Sequence, residues 1–207
     1  MKILFIGELS DWSQYALSYL RAQDAQVTSI IWSKGMPNYK IIDSWRGDWI
    51  LSFKSDLILS AGDLERPKYG AINFHPAPPY YRGIGGYWHA LQNHDISFGC
   101  TSHYMDEKID HGAIIDVRMF DILHNTNLSK LYLQTARLCL EQFKQTTDFI
   151  LNGTAPSPIK EKWKGRLYKS SELPSKYFDI IKSCNKVQFF GKERKLNIYP
   201  PSNIRRY

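Results

Sequence analysis

The order of elements at the start of the chain leaves few folds open to it. Lys2 to Ile6 is a short apolar run, Lys-Ile-Leu-Phe-Ile, stopped by Gly7. That is the pattern of a strand buried on both faces. Ser10 or Asp11 can cap a helix reaching Ala22, with Tyr15, Leu17, Tyr19 and Leu20 among its apolar residues. Gln26 to Trp32 is β-branched and apolar and predicts a second strand. Strand, helix and strand in quick succession imply a right-handed crossover and a parallel sheet. A right-twisted strand feeding a right-handed helix packs back onto its sheet in that hand.

The rest of the chain continues this alternation. Trp49 to Phe53 and Gly70 to Phe74 predict two more strands, and Gly86 to Gln92 a helix. Cys100 to Met105 alternates as a strand should, and Ala113 to Phe120 gives another. Asn127 or Ser129 caps a long helix to Leu151, closed by Asn152-Gly153. Thr154-Ala-Pro-Ser-Pro158 reads as a linker. The prediction is an α/β fold with a Rossmann-like, mostly parallel sheet over residues 1–155 and a short C-terminal extension over 156–207. A chain of this size buries roughly 70% of its unfolded surface and needs no covalent staples.

The net charge of +7 favours anionic partners: nucleic acid, anionic lipid or small acidic ligands. The densest basic stretch, Lys160 to Arg166, contains an acid and reads as solvated surface. Cys100, Cys139 and Cys184 are odd in number and widely spaced, so they form neither a zinc pattern nor a disulfide framework. Only four apolar residues follow Lys2 before Gly7 and Glu8, too few for a signal peptide. No run approaches about 18 apolar residues, the length of a membrane span. A cytoplasmic protein without a membrane partner is expected.

Three segments carry chemistry. In Ala71-Ile-Asn-Phe-His-Pro-Ala-Pro-Pro79, alternation puts Asn73 and His75 on one side of a strand end and Phe74 on the other. Proline then stops the strand, since it cannot donate to a ladder. Such a strand end is where open α/β sheets bind ligands. The same residues could equally be a turn-forming Asn and a His satisfied by a loop carbonyl. In Tyr80-Tyr-Arg-Gly-Ile-Gly-Gly-Tyr-Trp-His89, Gly83, Gly85 and Gly86 permit close backbone approach before a helix whose N-terminus can accept an anion, or form an ordinary turn. Cys100 to Ile115 runs from a strand into a loop holding Asp106, Glu107, Lys108 and Asp110. Acids clustered there are expected outside the core, as solvated residues or as partners of a nearby His.

Asn73-Phe-His-Pro-Ala-Pro-Pro79, followed by His103-Tyr-Met-Asp-Glu-Lys-Ile-Asp-His-Gly112, resembles the formyltransferase family. The resemblance covers roughly residues 48–120 and is strongest to the enzymes that formylate amino sugars on nucleotide carriers. It implies N10-formyltetrahydrofolate as donor, no metal, and Asn73, His75 and Asp110 as the catalytic residues. It implies a pterin held by the loop carrying Ser55, Leu57 and Leu59 and by Met105 and Asp106. A nucleotide-linked amino sugar of the dTDP-amino-6-deoxyhexose type, destined for surface polysaccharide such as O-antigen, would be the acceptor. Arg82, Gly83, Tyr87 and Lys164 are its candidate binding residues, and a homodimer is the candidate assembly.

The residue chemistry suits these roles. An amine attacking a formamide carbon creates an oxyanion, which the Asn73 amide and a His75 N–H can stabilise. The amine must lose a proton, which a His can take near neutral pH, and an Asp can orient that His and stabilise its cation. The tRNA enzymes that resemble this chain carry a further C-terminal barrel for which the residues after Pro156 leave too little room. The glycinamide ribonucleotide enzymes open with a phosphate loop where this chain has Gly7-Glu-Leu-Ser-Asp-Trp-Ser13. Lys34 to Trp45 also leaves little room for a usual third βα unit. Val187-Gln-Phe-Phe-Gly-Lys-Glu193 resembles a C-terminal segment of the sugar enzymes. Two other classes remain: a non-catalytic binding relative, and a nucleic-acid binder. The latter would need exposed aromatics interleaved with basic residues, seen only at 160–169.

Overall fold

A computed structural model describes residues 1–36, 41–186 and 205–206. The elements are β1 (Lys2–Glu8), α1 (Asp11–Arg21), β2 (Gln26–Trp32), α2 (Ile41–Ser44), β3 (Gly47–Phe53), α3 (Ala61–Leu64) and β4 (Pro67–His75). Then come β5 (Arg82–Gly83), α4 (Gly86–Gln92), β6 (Ser97–Tyr104), β7 (Ile114–Asp121), α5 (Leu128–Leu151), β8 (Leu167–Tyr168), α6 (Ser175–Cys184) and β9 (Arg205–Arg206). The main sheet runs β2-β1-β3-β4-β6-β7-β9. Its first four strands are parallel, as the opening strand–helix–strand order predicts. From β4 outward the pairing is antiparallel.

The double-sided strand pattern has a direct packing cause. Ile3 and Phe5 of β1 point into one core cluster with α1 and α5, while Leu4 and Ile6 point into a second cluster on the opposite face. Phe143 of α5 anchors the larger cluster, with edge contacts to Phe5 at 5.8 Å, Phe53 at 5.4 Å and Phe74 at 5.0 Å between ring centroids. Helix starts follow the caps: the Ser10 side chain accepts from the Ser13 N–H at 3.2 Å, and Asn127 from the Lys130 N–H at 2.9 Å.

The small extension after the linker sits on the main domain: Leu173, Tyr177 and Cys184 are buried in the main core and β8 pairs in parallel with β5. The N-terminus of α4 is packed against the chain beyond the linker. Its cap, Gly85, is left-handed, and the Leu173 side chain lies so close over it that an added Cβ would strike it. Asp110 is buried, unlike the solvated acids around it. Cys100, Cys139 and Cys184 are free and buried. Val187–Glu193 lies outside the described residues. Among the described residues, no helix is long and apolar enough to cross a membrane.

Candidate active site

Strand β4 delivers Asn73 and His75 on one face, and Phe74 faces the aromatic core. Because β6 runs antiparallel beside it, Asn73 stands directly opposite His103 in the ladder. Opposite residues on one face of such a pair are neighbours. The chain then leaves β6 and returns Asp110 to the same spot with its backbone in the left-handed region, φ +43°.

Asp110 is the junction. One carboxylate oxygen lies 3.4 Å from His75 Nδ1 and accepts the Gly83 N–H at 2.7 Å. The other faces the Asn73 amide nitrogen at 3.4 Å and His103 Nε2 at 3.5 Å. Burial alone would raise its pKa. The charge of His75, the contact and charge of His103 and the Gly83 N–H outweigh burial and hold the carboxyl at about 2. Asp110 is therefore a fixed negative charge at any ordinary pH.

The tautomers follow from the partners. A carbonyl oxygen only accepts, so His75 Nε2 carries the hydrogen it donates to the Tyr81 carbonyl at 2.7 Å. Nδ1, facing Asp110, is the His75 nitrogen that can gain a proton. His103 likewise donates from Nδ1 to the Tyr104 carbonyl at 2.8 Å, so a neutral ring leaves Nε2 to accept from the Asn73 amide at 3.2 Å. Asn73 thus turns its nitrogen toward the carboxylate, and its buried Oδ1 has no partner.

The expected donor-side loops pack their apolar side chains on the smaller core cluster. Leu59 is buried, and Leu57 and Met105 are partly buried in the smaller core cluster. Met105 is tied in by its N–H, which donates to the Ala71 carbonyl at 2.8 Å, two residues before Asn73. The Ser55 hydroxyl accepts the Leu57 N–H at 3.2 Å. Asp106 turns to its own loop, 2.6 Å from His111 Nδ1 and accepting the Lys108 N–H at 3.0 Å. Beneath the loop, buried Lys54 donates to Glu8 and to the Tyr132 hydroxyl, each at 2.7 Å. Asp56 reaches solvent, yet the protein around it and the charge of Glu8 push it up to about 6.

The expected acceptor-side residues are redistributed. Arg82 donates to the carbonyls of Asp110 at 2.6 Å and Ile109 at 3.0 Å. Gly83 likewise serves Asp110. Tyr87 is buried between Phe98 and Tyr132, because an aromatic at that helix position meets the core face. Lys164 stays on the surface, 2.8 Å from Glu161. Sequence patterning alone left out His103 and Trp163. The Trp163 indole stands edge-on to His103 at 4.9 Å and to His75 at 5.8 Å. The antiparallel register opposite Asn73 was the signal for His103; Trp163 had none, since it arrives from a stretch that reads as surface. Among the described residues, no group of three His, Cys, Asp or Glu is placed to hold a metal.

The formyl transferase family profile matches residues 38–146, more than half of the chain. The bifunctional polymyxin resistance protein ArnA of Wigglesworthia glossinidia brevipalpis is 34% identical over 137 residues, 64% of this chain and 20% of that protein. A methionyl-tRNA formyltransferase of Staphylococcus epidermidis is 33% identical over 127 residues, 57% of this chain and 41% of that one. The chain therefore spans less than half the length of these two curated relatives. The solved formyltransferase PseJ of Anoxybacillus kamchatkensis, in complex with UDP-4,6-dideoxy-4-formamido-L-AltNAc and tetrahydrofolate, superposes with a TM-score of 0.67 at 25% identity, covering 83% of this chain and 87% of that one. With its matched motifs gathered around one carboxylate on the expected sheet, this chain belongs to the formyl transferase family.

Proposed function

We propose that the protein transfers a formyl group from N10-formyltetrahydrofolate to the amine of a nucleotide-linked amino sugar, a step of surface polysaccharide assembly. The observation that carries this reading is the convergence of Asn73, His75 and His103 on Asp110. It is supported by likeness over most of the length of PseJ, which holds a nucleotide-linked formamido sugar and tetrahydrofolate. The apolar side chains of Leu57, Leu59 and Met105 suit a flat ring, and the unpartnered Asn73 Oδ1 is a polar atom awaiting a ligand. The donor supplies the formyl carbon.

This chain's residues supply the rest. The attacking amine must shed one proton. His75 Nδ1 receives it, directly or through a bridging water, Asp110 stabilises the resulting cation, and the same proton is given back to the departing donor nitrogen as its bond to the formyl carbon breaks. The Asn73 contact to Asp110, at 3.4 Å, is long for a hydrogen bond. Turning that N–H to a developing oxyanion costs the site little.

The test is mass spectrometry of UDP- and dTDP-linked aminodeoxyhexoses incubated with protein and formyl donor, beside the free sugars. Binding energy from the nucleotide is realised at the reacting centre, so the nucleotide form should be used at least about a hundredfold more efficiently than the free sugar. A higher rate with initiator methionyl-tRNA or glycinamide ribonucleotide in the same assay would overturn the acceptor class.

A further inference from the structure

The chain after α5 returns across the open end of the catalytic strands and is tied down on both sides. The Tyr104 hydroxyl donates to the Pro156 carbonyl at 2.8 Å, the Ile159 N–H to the Ile114 carbonyl at 2.8 Å, and the Lys164 N–H to the Pro79 carbonyl at 3.0 Å. Between these ties stands Trp163. Its indole N–H donates to the Gly112 carbonyl at 2.8 Å, two residues beyond Asp110. Gly112 has no room for a side chain, because a Cβ there would run into the Tyr104 carbonyl. The indole is therefore fixed to the loop that carries Asp110, and from there it meets His103 at an interplanar angle of 89°.

We infer that Trp163 is a positioning residue of the reaction centre, acting through His103 on the Asn73 amide; the inference rests on the formyl-transfer reading of this site. The chain of contacts is short. The indole walls the His103 ring, whose other constraint in the plane is the Nδ1–H bond to Tyr104. His103 Nε2 accepts from Asn73, and that contact decides which end of the amide faces Asp110. Without the indole, His103 can swing and water can compete for Nε2. Asn73 then loses the acceptor that holds its donor end inward. Trp163 touches His103 and His75 by ring edges alone and forms no hydrogen bond to either. Its loss should be felt in the rate of the chemical step and much less in substrate affinity.

The experiment compares Trp163→Ala and Trp163→Phe with the full-length protein. In Trp163→Ala, kcat should fall about 10–100-fold, with KM for both substrates within about threefold. Trp163→Phe, which keeps a ring against His103, should recover most of kcat. A raised KM at unchanged kcat, or failure of Phe to restore activity in a folded protein, overturns the inference. A second readout does not depend on turnover. Nitrogen-15 imidazole spectra should show His103 as a single Nδ1–H tautomer in the wild type and as an averaged ring in Trp163→Ala. Unchanged His103 signals in Trp163→Ala also overturn it. If the wild type formylates no acceptor, the functional reading fails while the spectra still decide the role of Trp163.

Discussion

Asp110 combines a buried charge, a left-handed backbone and four neighbouring donors or imidazoles. A carboxyl held at about 2 in the folded state lies below its unfolded value, so its stabilising contribution is complete above about pH 4 and fades as pH falls toward 2. Asp110→Asn should lower the plateau of kcat by about 10²–10⁴-fold, since the His75 cation loses its counter-charge. The stability gap to wild type, read by melting temperature, should narrow between about pH 4 and 2. Activity within threefold of wild type would remove Asp110 from the mechanism. Asn73, His75 and Asp110 were legible in the sequence because a strand alternation and a linked motif name them. His103 was not named, since its role depends on which residue a neighbouring antiparallel strand sets opposite it.

At the scale of elements, the two-residue strand β5 matters more than its length suggests. Gly83 has φ +84°, gives its N–H to Asp110, and a Cβ there would strike the Tyr168 carbonyl of β8. Gly83→Ala should therefore cost about 2–4 kcal/mol and also displace the Asp110 loop, lowering kcat. Gly153→Ala is the control. It shares a positive φ of 78° with open space around it, so it should cost only about 1 kcal/mol and leave kcat alone. Equal effects in thermal melts and assays would show that Gly83 matters only for its backbone. Arg82 belongs to the same element. Its bonds to the Asp110 and Ile109 carbonyls imply that Arg82→Ala slows every acceptor alike, rather than nucleotide-linked ones selectively. The strands and long helices were readable from periodicity because their burial is regular. The β5–β8 contact was not, because two residues carry no period and the partner lies far along the chain.

For the whole molecule, the packing of the chain beyond the Pro-rich linker against the main core has the largest consequence. The linker is real as a break in regular structure, but the chain beyond it completes the fold. Burial of Leu173 and Tyr177 alone contributes about 3–6 kcal/mol, comparable to the whole net stability of many domains. A fragment ending at residue 155 should thus melt at least about 10 °C lower than the full chain, or fail to stay soluble, and show no transfer activity. A fragment as stable as the full chain would restore the two-part organisation. Composition could not reveal this, because a basic, aromatic stretch looks alike whether its rings face solvent or a distant core.

The Phe143 contacts bear on how the molecule is made. Phe5, Phe53 and Phe74 lie on strands that are synthesised before α5, and they close around a ring that emerges later. Contacts between such distant parts of a chain form slowly, because loop closure is opposed by entropy before any contact rewards it. The parallel strands β1, β3 and β4 must therefore wait with one apolar face uncovered until α5 has been synthesised. During that interval the nascent chain exposes the surface that a holding chaperone recognises.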